Sequence, residues 1–122
     1  MGKSVLLIED EPNIIEAISY ILSRDGWRVA SHSNGGDAVD EIRRRAPDVV
    51  ILDVMLPGKN GFEVLSELRQ HDEFADLPVL MLTARGQTKD RELAAEMGAS
   101  QFMTKPFSNS EVLDKVRAMV AG

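Results

Sequence analysis

The chain has 122 residues, 43% hydrophobic and 28% charged, with a formal net charge of −6. That size suits one domain with a single full core, and the acidic balance argues against direct nucleic-acid binding. Without cysteine there is no disulfide framework, thiolate metal site or thiol nucleophile. No apolar stretch approaches the ~20 residues that span a bilayer, so no membrane association is expected. No signal or transit peptide precedes the first strand, and a cytoplasmic location is expected.

The predicted elements alternate strictly. Strand β1 covers Ser4 to Ile8 and runs into Glu9-Asp10. Helix α1 follows, with Glu11 near its N-cap and Pro12 at the first helical position, where a missing N–H costs nothing. Ile14, Ile15, Ile18, Ile21 and Leu22 form its apolar stripe, and Asp25-Gly26 ends it. Trp27 to Ser31 reads as a weaker strand, β2. Asn34-Gly35-Gly36 opens helix α2, which carries Ala38, Val39 and Ile42 and stops at Ala46-Pro47.

Strand β3, Val49 to Leu52, stops at Asp53. Val54 to Asn60 is a loop with tight turns, rich in Pro57, Gly58 and, just beyond, Gly61. Helix α3 follows with Phe62, Leu65 and Leu68 inward. Strand β4, Pro78 to Leu82, stops at Thr83; helix α4 spans Thr88 to Met97, with Gly98 as its left-handed stop. Strand β5 is short, Gln101 to Met103. Ser108-x-x-Glu111 reads as a capping box opening helix α5, whose stripe is Val112, Val116, Met119 and Val120.

Short β-branched runs without alternation are parallel strands buried on both faces. Five βα units with short connections imply an α/β fold, a flavodoxin-like (βα)5 three-layer sandwich with strand order 2-1-3-4-5. Ligands bind such sheets at the carboxyl edge, at the switch point between β1 and β3. Glu9, Asp10 and Asp53 therefore meet at one rim. Like charges so close disfavour each other's ionised forms unless a cation joins them. All-oxygen ligation suits Mg²⁺, with Mn²⁺ as the alternative.

Lys105-Pro106 follows β5 and reaches the same rim, where the ammonium suits a phosphoryl oxygen or a simple pairing with Asp53. The Lys105–Pro106 bond is a candidate for the cis form. Thr83 could donate to a phosphoryl oxygen. Metal ligands, a cation, a hydroxyl and a nucleophilic carboxylate are the parts needed for phosphoryl transfer, and Asp53 is the most central nucleophile. No Walker loop, His-x-x-x-His pair or Gly-x-Ser-x-Gly occurs. His32 and His71 are expected to be exposed and without a role. The Arg43-Arg44-Arg45 cluster reads as a solvated helix face.

From Lys3 to Val120 the chain resembles the receiver domain of two-component response regulators, bacterial-type signalling proteins. The resemblance rests on Leu7-Ile8-Glu9-Asp10-Glu11-Pro12, Leu52-Asp53-Val54-Met55-Leu56-Pro57 within Asp48 to Gly61, Leu82-Thr83-Ala84-Arg85 and Thr104-Lys105-Pro106-Phe107. It implies a single receiver domain over residues 1–122, with no output domain in this chain. It implies phosphorelay signal transduction, in which Asp53 takes a phosphoryl group from a sensor histidine kinase or phosphotransfer protein. Glu9, Asp10, Asp53 and the Met55 backbone carbonyl would hold Mg²⁺. Thr83, Lys105 and the backbone amides of Met55 and Ala84 would contact the phosphoryl oxygens. Phe102 would then turn inward and reshape the α4-β5-α5 surface, which could meet an output partner or a second copy. Ordinary core packing is the plain alternative for Phe102.

Two departures stand out. Glu9 replaces the Asp of many members, and its extra methylene favours binding metal through water. Ser100-Gln101 stands where winged-helix DNA-binding members carry two acids used in dimer salt bridges, which argues against that dimer. Met55 and Arg85 flank the site where dephosphorylation is tuned; neither positions water well, so slow self-hydrolysis is expected. Two other readings remain at this stage. A haloacid-dehalogenase-type phosphatase would need an Asp where Met55 stands, and a non-phosphorylated interaction module would not need a complete acid set.

Overall fold

The computed structural model describes residues 3–84 and 88–120. Five parallel strands pair in the order β2-β1-β3-β4-β5. They are β1 Ser4–Ile8, β2 Arg28–His32, β3 Val49–Asp53, β4 Val79–Thr83 and β5 Gln101–Thr104, and the helices are α1 Pro12–Arg24, α2 Ala38–Arg45, α3 Gly61–Gln70, α4 Thr88–Glu96 and α5 Asn109–Val120. A single 3₁₀ turn, Asp72–Phe74, follows α3. The flavodoxin-like arrangement and its strand order agree with the sequence reading, and the strand ends differ by a residue or so.

The unbroken apolar strands follow from burial on both faces. Leu6, Ile8, Val50, Leu52, Val79 and Met81 pack beneath α2, α3 and α4. Their strand neighbours Val5, Leu7, Val49, Ile51, Leu80 and Leu82 face α1 and α5. Alternation exists, but both alternate sets are apolar because each meets a helical layer. The central side chains Leu6, Leu7, Ile51, Leu52, Leu80 and Met81 are fully buried. Truncating any of these leucines to Ala would cost about 2–5 kcal/mol.

The helix ends show how local chemistry sets the frame. Pro12 opens α1 behind Glu11, whose side chain makes no capping bond. Pro47 disfavours the right-handed region at Ala46, which ends α2 in the left-handed region at φ 46°. The full capping box lies at α3, where Asn60 Oδ1 accepts from Glu63 N–H at 2.9 Å and Glu63 Oε1 accepts from Asn60 N–H at 3.1 Å. At α5, Ser108 Oγ accepts from Glu111 N–H at 3.1 Å, which is one half of the expected box. Helix α4 buries only Ala94, and Leu93 is left exposed. Among the described residues, no helix is long and apolar enough to cross a membrane.

Strand register sets the functional rim. Ile8 is level with Leu52, so the next residues, Glu9 just past β1 and Asp53 at the end of β3, stand side by side. Thr83 is level with Thr104, which brings Lys105 to the same height one residue later. Lys105 N–H donates to Thr83 carbonyl at 2.7 Å and fixes that end of β5.

Candidate functional site

Glu9, Asp10 and Asp53 each offer a carboxylate oxygen within 4.8 Å of the other two. The acids lie at the carboxyl edge of the sheet, as the sequence reading places them, yet Glu9 is 0% and Asp53 1% exposed. Asp10 alone of the three faces solvent. Glu9 and Asp53 are covered because β1 and β3 are central strands and the Lys105 side chain lies against their carboxylates.

Each buried carboxylate is half satisfied. Glu9 Oε2 accepts from the N–H groups of Asp10 at 3.0 Å and Glu11 at 3.1 Å. Asp53 Oδ1 accepts from Met55 N–H at 3.3 Å. The other oxygens, Glu9 Oε1 and Asp53 Oδ2, accept no hydrogen bond among the described residues. Glu9 Oε1 does lie 3.0 Å from Lys105 Nζ, an ion pair without hydrogen-bond alignment. Two buried anionic oxygens without donors suit a hard cation, and a third carboxylate stands beside them. These residues therefore fit a divalent metal.

Burial first, and then the close approach and negative charge of Glu9, raise the Asp53 pKa to about 7. Lys105 and the Met55 N–H oppose them. Burial disfavours the charged form of Lys105, but the hydrogen bond to Glu11, the close approach of the Glu9 carboxylate and the charge of Asp53 outweigh it and hold its pKa above the ordinary value.

The pairing of Lys105 differs from the simple Asp53 partnership considered from sequence. Its Nζ is 2.9 Å from Glu11 Oε1, 3.0 Å from Glu9 Oε1 and 3.5 Å from Asp53 Oδ2. The sequence reading places Glu11 near the N-cap of α1 and gives its side chain no role at the site. Glu11 is the N-cap residue, but its side chain makes no capping bond and instead binds the lysine; its place in an unbroken acidic triplet was the available signal.

The remaining expected residues surround this centre. Thr83 is buried at the end of β4, while Ala84 and Met55 are exposed, Met55 by 65%. Arg85 lies outside the described residues. The Lys105–Pro106 peptide bond is cis. Phe102 is half-buried, opposite Met81, against the core layer shared by α2, α3 and α4. The Arg91 guanidinium lies 5.6 Å from its ring centre, a cation–π contact that no sequence period announces. His32 and His71 are half-buried rather than exposed. His32 Nε2 sits 2.7 Å from Asp37 Oδ1, and His71 meets Phe74 edge-on. The three arginines of α2 pair with Asp40, Glu41 and Glu73.

The loop after β3 is fixed by close backbone approach. A Cβ on Gly61 would stand 2.3 Å from the Asp53 carbonyl oxygen, so only glycine fits. Gly35 N–H donates to the Pro57 carbonyl at 2.9 Å, tying this loop to the start of α2.

Comparison with known proteins gives one family. The family model described as "Response regulator receiver domain" matches residues 5–117. A crystallised protein of Chloroflexus aurantiacus described as a response regulator is 31% identical, with a TM-score of 0.95 and 100% of both chains covered. The BeF3-activated N-terminal receiver domain of Klebsiella pneumoniae RstA is 29% identical, with a TM-score of 0.90, covering 98% of this chain and 99% of that one. The receiver domain of the sensor histidine kinase PA1611 from Pseudomonas aeruginosa is 28% identical, with a TM-score of 0.91 and 100% of both chains covered. That protein has a magnesium ion coordinated in its active-site cleft.

Proposed function

Because the chain belongs to the response regulator receiver domain family, we propose that it is a Mg²⁺-dependent phosphoacceptor switch with Asp53 as the acceptor. One Asp53 carboxylate oxygen attacks the phosphorus of a phosphohistidine on a sensor kinase or phosphotransfer protein. The P–N bond breaks, and the histidine nitrogen leaves with the electron pair and takes up a proton. The observation that carries this reading is the buried Asp53 Oδ2, which accepts no hydrogen bond and lies 3.5 Å from the Lys105 ammonium.

Glu9, Asp10, Asp53 and the Met55 carbonyl would hold Mg²⁺, or Mn²⁺ in its place. The metal would neutralise charge on the transferring phosphoryl oxygens. Lys105, the Thr83 hydroxyl and the backbone amides of Met55 and Ala84 would hold those oxygens afterwards. Thr83 drawn toward the phosphoryl group would free Phe102 to turn inward, changing the α4-β5-α5 surface seen by an output partner or a second copy. Phe102 has no hydroxyl, so packing governs that turn.

The chain would act on itself alone, without turnover of a free substrate, in the cytoplasm where sensor kinases carry their phosphohistidine. The exposed thioether of Met55 cannot orient a water, which favours slow hydrolysis of the acyl phosphate. Incubation with Mg²⁺ and acetyl phosphate, read by intact mass, tests the reading. One phosphoryl adduct is expected, absent with EDTA and absent in Asp53→Asn. No adduct on the native chain would overturn the proposal, and continuous phosphate release would point to a phosphatase.

A further inference from the structure

The contacts of Lys105 concern metal loading as well as phosphoryl binding. Its Nζ makes one aligned side-chain hydrogen bond, to Glu11 Oε1 at 2.9 Å. Glu9 Oε1 and Asp53 Oδ2, deeper in the same pocket, are within 3.0 and 3.5 Å but accept no hydrogen bond from it. The Lys105 side chain is 12% exposed and that of Glu11 59%, so Glu11 engages the ammonium from the solvent side. An ammonium moving inward from this position would supply the missing donor to both buried oxygens. It would then compete with a metal ion for the same charge.

We propose that Glu11 is a positioning residue that holds the Lys105 ammonium at the mouth of the acidic pocket and keeps Glu9 Oε1 and Asp53 Oδ2 open to the divalent cation. This rests on the metal-binding reading given above, to which it adds a residue outside the ligand set. Glu11 is well placed for this role. As the residue before Pro12 its backbone is extended, and its side chain has no capping duty.

Removing Glu11 alters two things, a nearby negative charge and the hold on Lys105. A double-mutant cycle separates them, with Mg²⁺ affinity read by calorimetry in the absence of any phosphodonor. Glu11→Gln is expected to weaken Mg²⁺ binding roughly fivefold with Lys105 present, a coupling typical of side chains in contact. In a Lys105→Met background the same change should alter affinity by less than about twofold, the residual effect of one exposed charge.

Equal losses in both backgrounds would show a plain charge effect and overturn the proposal. So would tighter Mg²⁺ binding in Glu11→Gln, which would mean that Glu11 holds the lysine in rather than out. If Lys105→Met does not fold, Glu11→Asp decides: it keeps the charge but shortens the reach. Affinity weakened as in Glu11→Gln supports the proposal, and native affinity refutes it. Failure of the native chain to bind Mg²⁺ would instead refute the metal-site reading itself.

Discussion

Lys105 Nζ lies 3.5 Å from Asp53 Oδ2 but 2.9 Å from Glu11 Oε1, so the cation nearest the candidate acceptor makes its shorter contact elsewhere. Asp53 is consequently a buried carboxylate with incomplete compensation, and its chemistry follows from that imbalance.

Stability of the metal-free chain should depend on Asp53 ionisation. Its pKa is raised from 3.8 to about 7 by burial first and by Glu9 second. Between those values the folded chain holds a proton that the unfolded chain has released, so stability falls as pH rises. The contribution is complete below 3.8 and lost above about 7. Thermal melts in EDTA should show this slope, and Asp53→Asn should flatten it while raising stability at pH 8 by on the order of 1–4 kcal/mol. An Asn variant with the native slope would place the titration elsewhere.

Magnesium should act in the opposite sense at neutral pH. A cation held only by the folded chain stabilises by about 2.7 kcal/mol at a hundredfold excess over its Kd. The Tm should therefore rise by several degrees with Mg²⁺ and return with EDTA. In Asp10→Ala the rise should largely vanish, although this exposed acid contributes little to the metal-free fold.

Gly61→Ala should damage both fold and site. Its Cβ would meet the Asp53 carbonyl oxygen at 2.3 Å, and backbone cannot yield as a flexible side chain does. A loss of roughly 2–4 kcal/mol in urea denaturation is expected, together with weaker Mg²⁺ binding as Asp53 is displaced. Native stability would mean that the β3–α3 loop has slack that the close contacts do not suggest.

At the far end of the molecule, Ala46→Gly should stabilise. Ala46 occupies the left-handed region at φ 46°, where Cβ contacts cost an L-residue about 1 kcal/mol or more. Relief should slightly exceed the added entropy of glycine in the unfolded chain, leaving a gain of about 0.5 kcal/mol in chemical denaturation. An unchanged or lower midpoint would contradict this balance.

The sheet, its order and the meeting of Glu9, Asp10, Asp53 and Lys105 were readable because apolar runs, breakers and strand-end residues are periodic or local signals. Helix boundaries were less so: α2 begins at Ala38 rather than at the glycines, and the full capping box uses Asn60 and Glu63, an Asn version of the pattern sought as Ser-x-x-Glu. Two side-chain contacts could not be read at all. Glu11 meets Lys105 across 94 positions, and Arg91 lies over Phe102 from a helix with little amphipathic pattern. Such pairings depend on rotamers and on the docking of separate elements, which no local period encodes. Burial of Glu9 and Asp53 belongs with them, since Lys105, from beyond β5, lies against both carboxylates.

The covalent role of Asp53 is the central claim, and locating the modified residue tests it most directly. After exposure to acetyl phosphate and Mg²⁺, borohydride reduction converts an aspartyl phosphate to homoserine, which peptide sequencing by mass spectrometry places in the chain. Homoserine at position 53 alone is the expected result. Homoserine at another acid, or none in a chain that has gained a phosphoryl group, would contradict the account.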